Sequence, residues 1–235
     1  MGASSGPKYN NNGLVFILDP ANRHTGYSGT GTSVTALNKR NPTTVSGTLS
    51  NSNMFNKGNG GVFLMDTTNQ YRINLGNSGK VQTACSIFAW IYLDDLTNHS
   101  VIVKGIGGTS AECWGLSVEG GSPVARIAKA STDTFDEATA NTRIPTREWH
   151  HIGFTWSTSA NQIEMFTDGV ADGTTPTSVS DIESTGADVR VGRNGGLSDY
   201  MDGVVGLIHV YDNALPDSEV KNIYNGTKGR YIVPS

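Results

Sequence analysis

The chain has 235 residues, of which 29 are glycine and only 16% are charged, and its formal net charge at pH 7 is −4. Lysine and arginine form no basic block, so the electrostatic footprint of a nucleic-acid-binding protein is missing. No apolar run approaches the roughly 20 residues that a membrane-spanning helix requires. We therefore expect neither a nucleic-acid partner nor membrane insertion, and the turn-forming composition favours many short strands.

Two features bear on where the chain is made. Residues 1–12 are polar and lack the apolar core of a secretory signal peptide, so we expect a flexible leader without an export signal before one domain at 13–235. Cys85 and Cys113 lie beside strand-like segments, where a free thiol packs as a small hydrophobe, and a bridge would require the two strands to be neighbours. Two cysteines are too few for a fold that depends on disulfide bonds, which favours synthesis in a reducing compartment.

Short apolar segments separated by turn residues predict an all-β protein. Residues 14–18 form a nearly continuous apolar run, which is typical of a strand covered on both faces. Residues 23–61 predict loops with a few short strands, and residues 62–75 fit a strand, a turn and a second strand. Further strands are predicted at 86–93, 100–104, 113–118, 123–129, 149–156, 162–167, 188–192 and 203–211.

Three local patterns add detail to these strands. Residues 151–156 alternate polar and apolar side chains, so one face of the strand should be buried and the other wet or lightly covered. Asp168-Gly169 predicts a tight hairpin turn, since glycine supplies the positive φ that such turns need. Gly206 interrupts an apolar run, which predicts a bulge or a close backbone approach.

One short helix is predicted after Pro216. Asp217 and Glu219 complement the positive end of the helix dipole, and Asn225-Gly226 offers a stop. Residues 230–235 fit an edge strand that returns after the helix.

The order of the motifs carries a family resemblance. Residues 13–226 resemble the laminin-G-like branch of the concanavalin A-like lectin/glucanase family through G-L-V-F-I-L-D-P-A-N (13–22), W-H-H-I-G-F-T-W (149–156) and Y-M-D-G-V-V-G-L-I-H-V-Y-D-N-A-L-P (200–216). This resemblance implies a jelly-roll β-sandwich of two antiparallel sheets with one short C-terminal helix. Most members of the family bind rather than catalyse.

Glycoside hydrolysis is the first enzyme activity to test, because it needs two carboxylates across the scissile bond. The glucanase branch of the family carries them as E-x-D-x-E on one strand, and this chain has no such run. The nearest acidic set, Asp133, Asp136 and Glu137, has the wrong spacing and is predicted to lie in a loop. His150 and His151 should point to opposite faces of a strand, where they cannot easily share one metal ion. No catalytic residue is therefore predicted.

The resemblance implies calcium, which laminin-G-like and pentraxin-like relatives often hold with loop carboxylates and backbone carbonyls. This chain departs from the pattern, since it reads G-V-V-G-L at 203–207 where the family often has G-x-I-D-E, and no metal ligand is assigned. The candidate ligands at predicted strand ends are Asp19, Asp66, Asp168, Asp199 and Asp202.

Sugar binding depends on aromatic rings that cover the apolar face of a pyranose while polar side chains bind its hydroxyls. An aromatic stripe on a central strand is more often core, so both interpretations stay open and no ligand-binding residue is assigned. The candidates are Phe88, Trp90 and Tyr92 on one strand face, and Trp114, Tyr27 and Tyr200 at strand ends or in loops.

These patterns together predict a non-enzymatic binding or assembly module. The lack of an export signal and the opening at 13–22 resemble laminin-G-like domains of phage virion proteins such as tail fibres and capsid decorations. We therefore expect a virion protein made in the host cytoplasm, with other virion proteins, sister subunits and cell-surface glycans as partners. The alternatives are a carbohydrate-binding module of a larger secreted protein and a glycoside hydrolase.

Overall fold

The computed structural model describes residues 11–22, 26–27, 29–37, 45–105, 113–128, 135–182, 186–194 and 200–232. These residues form β-strands and one α-helix, with short 3-10 turns at Ser52–Met54, Gly58–Gly60 and Lys228–Arg230. The strands are β1 (Leu14–Leu18), β2 (Ser33–Ala36), β3 (Val45–Leu49), β4 (Phe55–Asn56), β5 (Val62–Met65), β6 (Ile73–Asn74), β7 (Ala84–Leu93), β8 (His99–Lys104), β9 (Trp114–Glu119), β10 (Ser122–Ala128), β11 (Phe135–Thr139), β12 (Trp149–Ser157), β13 (Gln162–Thr167), β14 (Val170–Pro176), β15 (Val189–Val191) and β16 (Gly203–Tyr211), and the helix is α1 (Asp217–Thr227).

The strands build two antiparallel sheets. Sheet A has the order β14-β13-β12-β7-β16-β5-β4, with β1 also paired to β16, and sheet B has the order β11-β10-β9-β8-β15-β6-β3-β2. Side chains from both sheets share one core, so the sheets pack face to face. The predicted class, an all-β sandwich with one short C-terminal helix, is confirmed.

The main core lies between the sheets and follows from strand alternation. Ile152, Phe154 and Trp156 from β12 are buried there together with Trp114 and Leu116 from β9. Each large apolar side chain that is fully buried contributes roughly 1.5–3 kcal/mol relative to leaving it in water. The period of two in the sequence thus selects which side chains fill the sandwich.

β16 is the central strand of sheet A. It pairs with β7 along one edge and with β1 and β5 along the other. Its register against β7 shifts between Val205 and Ile208, which confirms the irregularity predicted at Gly206. A Cβ atom on Gly206 would lie 2.6 Å from the ring of Tyr231, so only glycine allows this ring to approach so closely.

The C-terminal helix covers the outer face of sheet A. Val220 and Ile223 from α1 pack with Leu207 and other sheet residues in a second apolar cluster. The prediction of a wet or lightly covered outer face on β12 is therefore wrong, because His151 and Thr155 are buried.

The chain after the helix also differs from its prediction. α1 continues through Asn225-Gly226 to Thr227, and Lys228–Arg230 form a 3-10 turn. The predicted edge strand is thus wrong for residues 230–232, and residues 233–235 lie outside the described residues. The Tyr231 ring stacks on Trp90 with centroids 4.7 Å apart, so the chain crosses the outer face of sheet A instead of extending along its edge.

Two observed strands have no counterpart among the predicted ones. β11 and β14 are the outermost strands of their sheets, and most of their side chains reach solvent, which leaves little apolar alternation to detect. The hairpin between β13 and β14 is confirmed, since Asp168 and Gly169 have φ values of 52° and 76°. Positive φ at both central residues is the geometry of a tight type I′ turn.

The N-terminal boundary stays a prediction. Residues 1–10 of the predicted leader lie outside the described residues, and β1 begins at Leu14. Among the residues that the structure describes, no helix has the length and apolar character needed to cross a membrane.

Candidate functional site

The aromatic residues predicted as sugar platforms are mostly buried. A ring must reach solvent to stack on a sugar, and only Tyr92 of these candidates is partly accessible. The others are at most 8% exposed: Phe88, Trp90, Trp114, Tyr27 and Tyr200. The core interpretation is therefore the correct one for the stripe on β7.

Trp90 attaches the C-terminal segment to sheet A. Its ring stacks on Tyr224 and Tyr231 with centroid separations of 5.6 and 4.7 Å. Its Nε1–H donates to Oγ1 of Thr227 at 2.8 Å, which satisfies the one polar group of the buried indole. This tryptophan thus stabilises the helix and is not available to a ligand.

Asp168 holds the histidine pair of β12. Its Oδ1 accepts the backbone N–H of His151 at 2.9 Å, and its Oδ2 lies 2.9 Å from Nδ1 of His150. The His151 ring is stacked on Phe88, and burial lowers its pKa to about 4 even though Asp168 opposes that shift. The His150 ring contacts Asp168 and the His151 ring packs on Phe88, so the two imidazoles do not converge, which fits a structural motif better than a metal site.

The carboxylates predicted for calcium are dispersed. Asp19 forms an ion pair with Arg230 at 3.0 Å, and Asp168 contacts His150. Asp199 lies outside the described residues. These positions are therefore not one coordination site.

Asp66 and Asp202 are the two candidates that lie near each other, where β5 and β7 end and β16 begins. Burial raises the pKa of Asp202, and the charges of Asp94, Asp95 and Asp66 raise it further. Asp66 is occupied by a local turn, since it accepts the backbone N–H of Asn69 at 2.7 Å and its Nδ2–H at 2.8 Å. Within the described ranges no three His, Cys, Asp or Glu side chains are arranged to hold a metal ion, so the calcium prediction gains no support.

Two of the three residues of the predicted acidic set, Asp136 and Glu137, do not lie in a loop. Asp136 and Glu137 belong to β11, and Asp133 lies outside the described residues. Ala138 pairs with Ala125 and is the one buried side chain of this strand. A single buried alanine is a weak sequence signal for a strand, so the segment was predicted as a loop. Asp136 accepts backbone N–H groups at 178 and 179, so its role is structural.

The solvent-facing side of sheet B carries one exposed aromatic ring. Phe135 is 47% exposed, and no other aromatic side chain in the described ranges is classed as exposed. Arg126 on β10 places its guanidinium 5.4 Å from the Phe135 centroid. It forms ion pairs of 2.7 Å with Glu119 on β9 and 2.6 Å with Glu137 on β11. We call Phe135, Arg126, Glu119 and Glu137 the sheet B platform.

The platform combines a flat apolar ring with polar groups held in fixed positions. Burial disfavours the charge on Arg126, but the hydrogen bonds and charges of Glu119 and Glu137 outweigh it and raise the pKa of the guanidinium. One guanidinium and two carboxylates leave a net charge of about −1, which suits hydroxyl donors better than anionic groups. The sequence signal was the two-residue spacing of Phe135 and Glu137, which places both on the outer face of β11 while Ala138 is buried on the other face.

The two cysteines have no site of their own. Neither forms a disulfide bond, and both are buried, as predicted. Burial raises the pKa of Cys85, which keeps the thiol protonated and unreactive.

The comparisons with known proteins agree with this architecture. The family model described as the concanavalin A-like lectin/glucanases superfamily matches residues 65–221. No curated protein sequence matches the chain.

Three solved structures illustrate the similarity. Domain 4 of AbnA, a GH43 extracellular arabinanase from Geobacillus stearothermophilus in complex with arabinotriose, is 17% identical with a TM-score of 0.59 over 72% of this chain and 80% of that one. The Ruminococcus gnavus IT-sialidase CBM40 bound to alpha2,3 sialyllactose is 15% identical with a TM-score of 0.52 over 61% of this chain and 83% of that one.

The binding domain of Paraclostridial Mosquitocidal Protein 1 is 14% identical with a TM-score of 0.67 over 92% of this chain and 52% of that one. This chain thus spans about half the length of that binding domain. At these identities the similarity shows a shared fold.

Proposed function

The chain belongs to the concanavalin A-like lectin/glucanases superfamily, and we propose that it is a non-catalytic module that binds carbohydrate through the sheet B platform. Two structures of similar fold were solved with bound oligosaccharides, arabinotriose and alpha2,3 sialyllactose. Other structures of similar fold are receptor-binding or binding domains of toxins. Recognition of an external ligand is the common theme of these neighbours.

The exposed ring of Phe135 is the observation that carries the proposal. A pyranose can lay its apolar face on this ring, while Glu119 and Glu137 accept hydrogen bonds from its hydroxyls. Because the platform has a small net negative charge, its ligand is a neutral oligosaccharide, and sialylated glycans bind less well.

The platform carboxylates favour binding over hydrolysis. A glycosidase needs one carboxyl group that holds a proton for the leaving group and a second that acts from the other side of the bond. Glu119 and Glu137 instead share the guanidinium of Arg126, which holds both carboxylates in ion pairs.

A glycan array followed by calorimetry with the best neutral ligand tests this function. We expect Phe135→Ala to weaken binding about five- to thirtyfold, because the sugar loses its stacking surface, which is worth about 1–2 kcal/mol. Val170→Ala is a matched control, since Val170 is 63% exposed on β14 of the other sheet. This variant should bind like the parent protein.

Two outcomes would contradict the proposal. One is glycan binding that Phe135→Ala leaves unchanged, which would move the site elsewhere. The other is release of reducing sugar from the bound glycan, which would make the protein a hydrolase.

We further propose a virion setting, as a capsid decoration or tail-fibre protein with other virion proteins or sister subunits as partners. This proposal rests on the resemblance of residues 13–22 to laminin-G-like domains of phage virion proteins. Mass spectrometry of purified particles tests it, and we expect the chain among the particle proteins. Glycan binding by a chain that is absent from particles would favour a carbohydrate-binding module of a larger protein.

A further inference from the structure

A cleft of about 190 Å³ opens on the outer face of sheet A beside the start of α1. Its floor is polar, because Thr155 pairs with Glu164 and Ser157 pairs with Gln162 on the neighbouring strands β12 and β13. Asp217 lies at its rim. The remaining wall is largely apolar and includes Ala160, Ala214, Leu215 and Pro216.

Polar groups in this floor lack partners. Thr155 is only 5% exposed and lines the cleft, yet its hydroxyl makes no hydrogen bond with any residue in the described ranges. Glu164 has no hydrogen bond or ion pair with those residues either. The hydroxyl of Thr155 and the carboxylate of Glu164 therefore both keep hydrogen-bonding capacity that a group entering the cleft can use.

The charge of the cleft defines that ligand. Burial raises the pKa of Glu164, and the nearby charge of Asp217 raises it further, so the groups that act on Glu164 include no cation. The helix dipole offsets part of the charge on Asp217, which leaves Glu164 as the main anionic group. A positively charged ligand would therefore be attracted to the floor.

The residues that line the cleft favour an organic ammonium group over a calcium ion. A calcium ion needs six to eight oxygen ligands, and the described residues contain no group of three potential metal ligands. A primary ammonium group has three N–H donors on a compact charge, and an alkyl chain attached to it can lie along an apolar wall. The combination of an acidic, hydroxyl-bearing floor and an aliphatic wall fits that amphipathic group.

We propose that this cleft binds a primary alkylammonium group, the chemistry shared by a lysine side chain of a partner protein and a free aliphatic diamine. The ammonium contacts Glu164 and Thr155, and the alkyl chain lies against Leu215 and Pro216. The cleft lies on sheet A, so this inference is independent of carbohydrate binding on sheet B.

Titration of the isotope-labelled protein with n-butylamine tests the site by nuclear magnetic resonance. We expect saturable shifts of the backbone amides at 155, 162, 164 and 215, with a dissociation constant in the millimolar range for so small a ligand. n-Butanol has the same alkyl chain without the charge and should cause no saturable shift. Nα-acetyl-lysine amide represents a lysine side chain of a partner protein, and 1,4-diaminobutane represents a free diamine. The compound with the lower dissociation constant identifies the source of the ammonium group.

Glu164→Gln is the decisive variant. It should weaken n-butylamine at least tenfold, and it should fold well because burial already disfavours the charge of Glu164. Glu219→Gln removes a carboxylate from the same first turn of α1 but outside the cleft, and it should leave binding unchanged. The proposal is wrong if n-butylamine causes no shifts, if n-butanol binds equally well, or if Glu164→Gln binds like the parent.

Discussion

The backbone N–H of Leu207 donates a 2.8 Å hydrogen bond to the hydroxyl oxygen of Tyr231. Leu207 follows Gly206 in the bulge of β16, where the ladder to β7 is interrupted and a backbone donor loses its strand partner. The missing side chain of Gly206 opens the space through which the Tyr231 ring reaches that donor. The bulge and the C-terminal tyrosine are therefore one structural unit.

Tyr231→Phe should lower the free energy of unfolding by about 1–3 kcal/mol, because the buried N–H of Leu207 loses its acceptor. Urea unfolding followed by tryptophan fluorescence measures the change. Tyr92→Phe is the matched control, since Tyr92 is half-buried and its hydroxyl has no hydrogen bond among the described residues. Equal stability of the two variants would show that the Tyr231 hydroxyl is dispensable.

Replacement of Asp168 should reveal its two roles. Asp168→Asn keeps a side-chain acceptor and tolerates positive φ, so we expect a loss of about 1 kcal/mol. Asp168→Ala removes the acceptor and strains the turn at φ 52°, so its loss should be about 2–3 kcal/mol. Thermal melting would contradict this order if the alanine variant were as stable as the asparagine variant.

Thr227→Val tests how the helix is attached. The substitution preserves shape but removes the acceptor for Nε1 of Trp90, which should cost about 1–3 kcal/mol. Hydrogen exchange of the α1 amides should speed up more than exchange in β8. Thr174→Val on the exposed edge strand is the control and should change neither rate.

Acid should weaken the fold through His151. Both ring nitrogens are buried without hydrogen-bond partners among the described residues, and burial lowers the pKa from 6.5 to about 4. Between these values the unfolded chain binds the proton and the folded chain does not, so stability falls as the pH drops. The stability that depends on a neutral His151 is fully present above the unfolded pKa of 6.5 and is lost progressively as the pH falls toward 4.

His151→Leu should therefore flatten the pH dependence of stability between about pH 6.5 and pH 4.5. The parent protein should lose a few kcal/mol over this window, at about 1.4 kcal/mol for each unit of pKa shift. His209, whose pKa burial lowers to about 3, stays in the variant and retains part of the slope. Parallel pH profiles for the variant and the parent, from urea unfolding, would exclude His151 as the source.

Strands that bury one face or both were predictable from the sequence. β1, β7, β12 and β16 carry long apolar or alternating runs, and their positions agree with prediction within about two residues. β11 and β14 were not predictable, because an edge strand such as V-A-D-G-T-T-P keeps few side chains in the core. The local pattern also did not show that the outer face of β12 is covered, since the covering residues come from the distant α1.

The candidate sites depended even more on long-range contacts. The buried state of Trp90 follows from Tyr224 and Tyr231, which lie far along the chain. Phe135 lies in a segment that the sequence predicts as a loop, and only the pairing of β10 with β11 shows that its ring lies beside Arg126. Residue types alone therefore pointed mostly to aromatic residues that the fold buries.

The position of β16 has a consequence for synthesis. Among the strands that the structure describes, this middle strand of sheet A is the last to be synthesised, so β1, β5 and β7 have unpaired edges until residues 203–211 emerge from the ribosome. Open edges recruit other chains, and contacts between distant segments form slowly. A nascent polypeptide that ends before residue 203 is thus the form most prone to aggregation, and closure of sheet A is a late step in the synthesis of this domain.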